Sequence, residues 1–544
     1  MTRAAGCLSI GCAMRQPGPE SASSVAAAGK KNTSENLAAV GISILIVYAV
    51  VRSFFAAASK PFWFDEVCTS IVARLPSASA IWRALERAAD GQPPLFYLIE
   101  RAAAALALKP EIALRLPSIF AFLCILLCVF LFVKRRSGAM YALLSTSVLL
   151  ITVLFDTYAV EARPYSLLVA CIAFALVCYQ RAPEPLWLVL MGLSLAAAEA
   201  FHYYAVFAFV PFGLAEIAFS FRARKLRLGV WLAMASGLVP LAICWPLLRA
   251  LKESFGPHVW DSPGLRHIGK TYGWLFNTSS LHWHLGFAVA AVLILLGASL
   301  ALAFRGVRAA LVADPFFHEY VLSWALFSLP FVALAATEVF HGGLSPRYVL
   351  PTVLAVPLAA GYILPRLNRS VVVLMAVLVV SVLGVQEARF WSSQRGHFGK
   401  IISPTGSLAG IVKRAGHADL PIVVSDTLEY LTLAYYAPPD LSKRVAAIAD
   451  PTQAVAYTGT DSNDRTLLGL RSCDPLLRVY YFQPFANEHP AFLVYSAGSA
   501  MDWWPGRLAR DGYTLEVAAA DEERKIYLVT RAPGIGRESP ASHP

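Results

Sequence analysis

Long apolar segments recur along most of this chain, and they constrain its fold more than any other feature. A helix that crosses the hydrocarbon core of a membrane needs about 20 apolar residues. We expect about eleven such spans, at 38–58, 112–133, 139–155, 160–180, 186–201, 203–221, 228–249, 285–304, 320–340, 347–364 and 370–386. Only 15% of the 544 residues are charged, against about a quarter in soluble proteins. The sequence therefore predicts a mainly α-helical, polytopic membrane protein.

Basic residues predict how these spans are oriented. They occupy alternate connections between the apolar segments, at 134–136, 181, 222–227, 305–308 and 366–369. Because cytoplasmic loops are enriched in Lys and Arg, we place these connections in the cytoplasm and the other loops outside the plasma (inner) membrane. The net charge of +11 is then explained by contact with membrane lipid, and no nucleic-acid partner is predicted.

The membrane region is flanked by other segments. Residues 1–37 are predicted to be a disordered cytoplasmic tail, and residues 38–390 a transmembrane domain in which 59–111 forms the first outer loop. The apolar stretch at 93–108 is assigned to that loop, because counting it as a span would move the basic run at 134–136 outside. We expect it to be a helix that lies on the outer membrane surface, and we expect the same of 80–89, which has Ile81, Trp82 and Leu85 on one face. We interpret the first span as an uncleaved anchor, although Ala56-Ala57-Ala58 is similar to a signal cleavage site.

A small extracytoplasmic α/β domain is predicted at 400–532, followed by a disordered tail at 533–544. Short buried strands are indicated at 421–425, 491–495 and 525–530, with helix-like pieces at 427–434 and 505–509. Alternation of strands and helices is typical of a largely parallel sheet. Two roles for this domain are left open, support of the outer loops and recognition of an acceptor.

Acidic, basic and histidine side chains gather near the predicted outer ends of the spans. They include Asp65, Glu66, Glu161, Arg163, His202 and Arg347. A carboxylate beside hydrocarbon is costly to desolvate unless it is paired or functional. Acids and cations gathered at one membrane face are what a general base beside an anion-binding site requires. Taken singly, each residue also fits helix capping, topology or snorkelling to the interface.

Short motifs around these residues resemble those of a class of membrane enzymes. In chain order they are Trp63-Phe-Asp65-Glu66, Gly91-Gln-Pro93-Pro94-Leu-Phe-Tyr97, Leu114-Arg115-Leu-Pro117-Ser118, Glu161-Ala-Arg163-Pro-Tyr165-Ser, His202-Tyr203-Tyr204 and Ser345-Pro-Arg347-Tyr348. Over residues 38–386, their order and their positions relative to the spans resemble the GT-C-type glycosyltransferases. The resemblance is in particular to bacterial relatives of the dolichyl-phosphate-mannose–protein mannosyltransferases, a group that includes lipopolysaccharide-core transferases.

The resemblance implies an inverting glycosyltransferase that moves a sugar from a polyprenyl-phosphate donor to an extracytoplasmic glycan, lipid or protein acceptor. It implies a catalytic base in the first outer loop, which is Asp65 or Glu66 here. We expect Asp65 to be the base and Glu66 to orient it or the acceptor. It also implies that Arg347 faces the donor phosphate. Donor or substrate binding is further predicted for Arg163, Glu161, His202, Tyr348 and Tyr97.

Alternatives remain open at this point. One is that Arg163 only pairs with Glu161. The predicted chemistry requires no cofactor, but a divalent cation held by His202 and His341 with Glu66 or Glu161 is an alternative, without a ligand spacing to support it. The main rival function is a polytopic transporter, or a flippase of lipid-linked glycans, without transferase activity. Such proteins usually place polar groups near mid-membrane, whereas the polar residues here favour one end.

Overall fold

The structure, a computed structural model, describes residues 19–258, 264–276, 314–340, 343–396, 400–401, 403–499 and 501–531. Residues 1–18 of the predicted N-terminal tail, the whole predicted tail at 533–544, the predicted span at 285–304 and His341 lie outside these residues. The α-helices of the membrane part are α1 (Pro19–Ser59), α2 (Phe64–Ala73), α3 (Ala78–Glu86), α4 (Pro94–Ala104), α5 (Pro110–Ala113), α6 (Leu116–Ser137), α7 (Ala139–Ser147), α8 (Val153–Asp156), α9 (Tyr165–Tyr179), α10 (Pro185–Phe201), α11 (Phe209–Ala223), α12 (Leu228–Gly237), α13 (Val239–Ile243), α14 (Trp245–Phe255), α15 (Leu265–Leu275), α16 (Phe317–Phe327), α17 (Leu329–Phe340), α18 (Ala355–Ile363) and α19 (Arg369–Ser393). Short 3₁₀-helices extend them at Val148–Ile151, Tyr158–Val160, Tyr203–Ala208, Pro346–Leu354 and Leu364–Arg366.

Helices lie at every predicted span that falls within the described ranges. Five are long and apolar enough to cross a membrane, namely Thr33–Ser59, Pro110–Ser137, Tyr203–Ala223, Pro346–Arg366 and Arg369–Ser393. Three bent helix pairs raise that number to eight if each pair is one span, and two shorter apolar helices are Tyr165–Tyr179 and Pro185–Phe201. The prediction of a mainly α-helical polytopic membrane protein is confirmed.

Three of the predicted spans are bent. The bends are 59° between Ala139–Ile151 and Val153–Val160, 59° between Leu228–Ile243 and Trp245–Phe255, and 55° between Phe317–Phe327 and Leu329–Val339. In the second and third pairs, Pro246 and Pro330 are the second residues of the helix that follows the break. Proline has no N–H to donate and clashes with the preceding turn, so a continuous helix ends there. In the first pair, the extended backbone of Thr152 interrupts the helix.

The first outer loop folds into the short helices α2, α3 and α4. Helix α4 has 11 residues, too few to cross a membrane, in agreement with its assignment to the loop. The expectation that α3 lies on the membrane surface through Ile81, Trp82 and Leu85 is wrong. Ile81 and Leu85 are instead buried in a hydrophobic cluster shared with the C-terminal domain, because that domain covers the apolar face of α3.

The C-terminal part contains a six-stranded sheet. Its strands are β1 (Ile422–Val424), β2 (Val445–Ile448), β3 (Val479–Tyr480), β4 (Ala491–Ser496), β5 (Tyr513–Ala520) and β6 (Lys525–Arg531), in the spatial order β3-β2-β1-β4-β6-β5. The first four are parallel, and β6 and β5 continue the sheet antiparallel. The helices are α20 (Thr405–Ala415), α21 (Thr427–Tyr436), α22 (Pro439–Ser442), α23 (Pro451–Thr458), α24 (Ser462–Cys473), α25 (Phe482–Glu488) and α26 (Trp504–Arg510). The predicted small α/β domain with a largely parallel sheet is confirmed.

The C-terminal domain packs directly on the first outer loop. The hydroxyl of Tyr436, at the end of α21, accepts a 2.9 Å hydrogen bond from the backbone N–H of Phe62 and donates one of 2.9 Å to Glu111. Helix α24 approaches so closely at Gly469 that an added Cβ would lie 2.6 Å from the carbonyl oxygen of Arg87. These contacts fix the loop that carries Asp65 against a folded domain.

Candidate active site

Helix α2 presents its two acidic residues in different directions. Asp65 and Glu66 lie in the first turn, directly after Trp63, whose extended backbone begins the helix. Acidic side chains are favoured there because a helix N-terminus carries a partial positive charge. Successive residues of a helix point about 100° apart, so the two carboxylates contact different parts of the protein.

Glu66 points into the protein interior. Its two carboxylate oxygens accept hydrogen bonds of 2.8 and 2.7 Å from the Arg115 guanidinium, and one also accepts a bond of 2.9 Å from the backbone N–H of Ala162. Neither side chain of the pair has any exposed surface. Burial would raise the pKa of Glu66, but the charge and hydrogen bonds of Arg115, the charge of Lys60 and the N–H of Ala162 together hold this pKa below its ordinary value. Glu66 is therefore an ionised anchor of the loop.

Arg115 connects the end of the first span to this anchor. Besides Glu66, its guanidinium donates to three backbone carbonyl oxygens, those of Ala57 (2.9 Å), Lys60 (2.6 Å) and Pro61 (3.1 Å). All five N–H donors of the guanidinium thus have acceptors. Three residues further on, the hydroxyl of Ser118 donates to the carbonyl oxygen of Glu161 at 2.6 Å. The Arg-Leu-Pro-Ser motif therefore holds two outer loops in place.

Asp65 faces away from this anchor and contacts two arginines. Its Oδ2 accepts a hydrogen bond of 2.8 Å from Nη1 of Arg347, which lies 282 positions later in the chain. The same oxygen is 3.8 Å from Nε of Arg163. The side chains of Asp65 and Arg347 are 16% and 21% exposed, so both are accessible from solvent, unlike Glu66. The structure thus brings together three of the predicted site residues from distant parts of the chain.

Arg163 is held by a second acid, Asp90. Its guanidinium donates to both carboxylate oxygens of Asp90, at 2.6 and 3.3 Å, and to the hydroxyl of Thr69 at 3.2 Å. Burial would lower the pKa of Arg163, but the charges of Asp90 and Asp65 raise it well above its ordinary value, so the guanidinium stays charged. The alternative that Arg163 pairs with Glu161 is wrong, because Asp90 is its partner.

Glu161 pairs with Lys60. One of its carboxylate oxygens is 3.1 Å from Nζ of Lys60, and the other is buried without a hydrogen-bond partner in the described part of the chain. Burial raises the pKa of Glu161 above its ordinary value, since the charge of Lys60 offsets only part of the effect. Glu161 is therefore close to Arg163 in the sequence, but its ion pair is with Lys60 and not with Arg163.

Aromatic rings enclose the part of the site that contains Tyr348. This ring stacks on Tyr204 with a centroid distance of 4.3 Å, and His202 lies 5.4 Å from both Tyr348 and Tyr165. Nδ1 of His202 accepts a hydrogen bond of 3.2 Å from the backbone N–H of Tyr204. Burial and the charges of the two arginines lower the pKa of His202 to about 3. The imidazole is therefore neutral and suits a packing role.

Tyr97 forms part of the wall behind Asp90. Its side chain is fully buried, and its ring packs edge-on against Phe96 with a centroid distance of 5.1 Å. Burial, followed by the charge of Asp90, raises the pKa of Tyr97 well above its ordinary value, so the phenol stays protonated. Tyr97 is therefore a buried neighbour of Asp90, and its role in substrate binding stays a prediction.

Three contributors to the site were not predicted, namely Asp90, Lys60 and the anchoring role of Arg115. Asp90 directly precedes the Gly91-Gln-Pro93-Pro94 motif, and Arg115 lies inside a motif, so their positions did carry a signal. The partner of each residue depends on how the chain folds, so the local sequence could not predict it.

The described residues contain no group of three or more His, Cys, Asp and Glu side chains that could hold a metal ion. Both oxygens of Glu66 are already occupied by Arg115 and a backbone N–H, so Glu66 is unsuited as a ligand. His341 lies outside the described ranges. The divalent cation therefore remains an untested alternative.

Comparison with known proteins agrees with these motifs. Residues 91–248 match the family model described as dolichyl-phosphate-mannose-protein mannosyltransferase, a stretch that includes Arg115, Glu161, Arg163 and His202 but covers less than half of the chain. No curated protein sequence matches the chain significantly.

Two crystal structures of ArnT from Cupriavidus metallidurans are similar to most of the chain. The apo structure matches with a TM-score of 0.54 and 14% identity, over 90% of this chain and 98% of that one. The structure bound to undecaprenyl phosphate matches with a TM-score of 0.51 and 16% identity, over the same shares of the two chains. The chain therefore has the fold of the GT-C-type membrane glycosyltransferases, as the resemblance of its sequence motifs implied.

Proposed function

We propose that this chain is an inverting glycosyltransferase of the plasma (inner) membrane. It moves a sugar from a polyprenyl-phosphate donor to a glycan, lipid or protein acceptor outside the cell, and Asp65 is its base. The observation that carries the proposal is the contact between Asp65 and Arg347 at 2.8 Å. It supports the proposal because a carboxylate suited to act as a base and a guanidinium suited to bind phosphate meet at a partly exposed position.

Arg347 and Arg163 have different roles in this proposal. The donor phosphate has more oxygens and more charge than a carboxylate, so it competes with Asp65 for the planar guanidinium of Arg347. When Arg347 turns to the phosphate, Arg163 still lies 3.8 Å from Asp65 and is itself fixed by Asp90. Asp65 thereby loses its hydrogen bond to Arg347 and stays close to Arg163.

The chemical step is a single displacement at C1 of the sugar. The acceptor oxygen attacks C1, the bond between C1 and the phosphate oxygen breaks, and the polyprenyl phosphate leaves with the bonding electrons. The acceptor proton passes to the Asp65 carboxylate, which is the part of the reaction that a general base accelerates. One displacement inverts the configuration at C1. Glu66 positions α2 through Arg115 and does not take the proton.

Two further observations support a lipid-linked donor. The similar ArnT structure is described as bound to undecaprenyl phosphate. In addition, Ser345 and Arg347 lie at the beginning of the 3₁₀-helix Pro346–Leu354, at one end of the candidate span Pro346–Arg366. A guanidinium at the end of a span meets a lipid phosphate at head-group level while the polyprenyl chain stays in the hydrocarbon.

The test is transfer of label from polyprenyl-phosphate sugars in membranes that contain the full chain. We expect wild-type membranes to form a labelled product and the Asp65→Asn variant to lose about 10²–10⁴-fold in rate, the range that general-base catalysis provides. Glu86→Gln is the matched control, because Glu86 is an exposed acid of the same outer loop and its amide counterpart keeps an acceptor for Trp82. An Asp65→Asn variant as active as Glu86→Gln would eliminate Asp65 as base.

The rival flippase gives a different result in the same membranes. A flippase would move the labelled lipid-linked sugar to the other leaflet without forming a new glycosidic bond. Neither the wild type nor the Asp65→Asn variant would then form any labelled transfer product. Orientation is tested separately with Ser77→Cys, at the beginning of α3. We expect an impermeant thiol reagent to label this cysteine from outside intact cells, and labelling only after the membrane is opened would contradict an external site.

A further inference from the structure

A polar cleft lies between the ends of α1 and α19, apart from the contact of Asp65 with Arg347. Its volume is about 230 Å³. The polar side chains that line it include Arg52, Lys60, Asp156, Gln394 and Lys400. Ser59 and Ser393, the last residues of the two helices, also line it. The cleft is therefore at the level where two membrane helices end.

The floor of the cleft is already neutralised. Arg52 is 1% exposed and pairs with Asp156 at 2.5 Å and with Glu387 at 3.4 Å. Its guanidinium also lies 4.6 Å from the ring centroid of Phe155 and 3.9 Å from that of Phe390. Two acids and two aromatic faces thus surround this one cation. Arg52 fixes the floor but has little charge left for a ligand.

The rim of the cleft has unused positive charge. Lys60 contacts Glu161 on one side, yet its side chain is 37% exposed, so its ammonium keeps donors for a second partner. Lys400 is exposed, and within the described ranges it forms no ion pair. Asp156, with a side chain 38% exposed, also lines the cleft and supplies an acceptor. The rim therefore offers two cations and one carboxylate, which fits a phosphate that carries a neighbouring hydroxyl.

The surface next to the cleft is suited to lipid chains. On α1, the exposed apolar residues include Val47, Val51, Phe54 and Phe55, and on α19 they include Val373, Leu374, Val377, Val380 and Val385. The two helices pack together where Phe55 meets Trp391 edge-on at 5.5 Å. Apolar faces of membrane spans are covered by acyl chains, so a lipid lying along this pair has its head group at the cleft.

We propose that the cleft binds the head group of a membrane glycerophospholipid with a hydroxylated head group. The phosphate lies between Lys60 and Lys400, the hydroxyl donates to Asp156, and the acyl chains follow α1 and α19. This is a second lipid site, distinct from the donor site proposed at Arg347. It is connected to the Asp65 loop, because the backbone carbonyl of Lys60 accepts from Arg115 at 2.6 Å.

The experiment measures binding of dioleoylphosphatidylglycerol to the delipidated full chain in a neutral detergent by native mass spectrometry. An exposed lysine near an anionic lipid contributes about 1 kcal/mol, or about fivefold in affinity, so the charge reversal Lys400→Glu should weaken binding by about tenfold or more. The control is Arg395→Glu, which makes the same charge change. Arg395 is exposed and follows Gln394 in the chain, but it does not line the cleft. We expect it to stay within about twofold of wild type.

Other ligands decide between the sources of phosphate. Dioleoylphosphatidylcholine has the phosphate but carries its own cation and no head-group hydroxyl. It should bind more weakly than phosphatidylglycerol, and its binding should be equal in Lys400→Glu and Arg395→Glu. Equal binding of the two lipids to wild type would overturn the proposal, as would unchanged phosphatidylglycerol binding in Lys400→Glu. Inorganic phosphate that displaces phosphatidylglycerol at similar concentration would show a free-anion site and overturn it too. Because this assay needs no sugar transfer, its outcome is independent of the proposed activity.

Discussion

Glu66 and Arg115 form a bidentate ion pair with no exposed surface, while Asp65, one residue earlier, meets Arg347 at a partly exposed site. Two adjacent acids therefore have different environments within one helical turn. Glu66 fixes the loop, because Arg115 also binds the carbonyl oxygens that lead into α2. Asp65 is left in reach of ligands. The arrangement separates structural support from chemistry in a single acidic pair.

The Glu66→Gln variant should lose stability. A lone buried cation is costly, and breaking a buried pair by removing one partner typically costs about 3–5 kcal/mol. Since Arg115 would keep its charge, we expect a lower yield of folded protein and a lower midpoint in thermal unfolding in detergent. The double variant Glu66→Gln/Arg115→Met should recover part of this loss, because it leaves no unpaired charge. Asp65→Asn is the matched control and should lower stability less than Glu66→Gln, because Asp65 is partly exposed and its neighbour Arg163 keeps Asp90 as a partner. An equal effect of the two single variants would contradict the separation of roles.

The Arg347→Lys variant should weaken use of the donor. Lysine keeps the positive charge but not the planar pair of donors that matches phosphate oxygens. We expect KM for the polyprenyl-phosphate sugar to rise about tenfold, the effect of losing one charge-assisted hydrogen bond, while the fold is retained. Arg249→Lys, at an exposed arginine paired with Glu253, is the control and should leave KM unchanged. An unchanged KM in Arg347→Lys would remove Arg347 from the donor site.

Local sequence predicted the elements of this fold where their pattern is local. Apolar segments mark the spans, and β1, β4 and β6 stand out as apolar runs between polar residues. The strands β2, β3 and β5 were not predicted. Val445–Ile448 is half alanine, Val479–Tyr480 has two residues, and Tyr513–Ala520 lies at the edge of the sheet with much of its surface exposed. Each lacks the run of large apolar residues that indicates a buried strand.

Pairings across the fold could not be predicted, and Arg136 illustrates the reason. The basic residues at the predicted cytoplasmic ends were interpreted only as a signal of orientation. Arg136 is also the partner of Glu319, which is buried and accepts a further hydrogen bond of 2.8 Å from Gln180. Glu319 lies 183 positions away in the chain. A contact at that separation depends on how the helices pack, and the charge pattern around either residue does not encode it.

The Gly469→Ala variant should disturb the contact between the C-terminal domain and the first outer loop. A Cβ at this position would lie 2.6 Å from the carbonyl oxygen of Arg87 and 2.8 Å from the backbone nitrogen of Ala89. These are backbone atoms, which cannot swing aside as a side chain can. We expect the loop to shift, with lower thermal stability and slower transfer. Gly406→Ala is the control, since a Cβ there meets nothing within 4 Å and alanine favours a helix by up to about 1 kcal/mol. Transfer and stability equal to wild type in Gly469→Ala would show that this contact is not needed.

The C-terminal domain should become less stable as the pH rises through neutrality, because of Asp464. Burial and the charges of Asp450 and Asp461 raise the pKa of Asp464 to about 7, although its Oδ1 accepts a hydrogen bond of 2.8 Å from the backbone N–H of Asp450. At pH values between the ordinary pKa of Asp464 and 7, the folded state therefore binds more protons than the unfolded state. The contribution of Asp464 to the stability of the domain is full at low pH and is lost as the pH rises. The Asp464→Asn variant keeps the acceptor without the charge. It should be more stable than wild type at pH 8 by a few kcal/mol at most, at about 1.4 kcal/mol for each unit of pKa shift.

Calorimetric unfolding of the full chain between pH 5 and pH 8 measures this change in stability, with Glu522→Gln, at an exposed residue, as control. A pH dependence in Asp464→Asn as steep as in wild type and Glu522→Gln would mean that Asp464 is ionised in the folded domain.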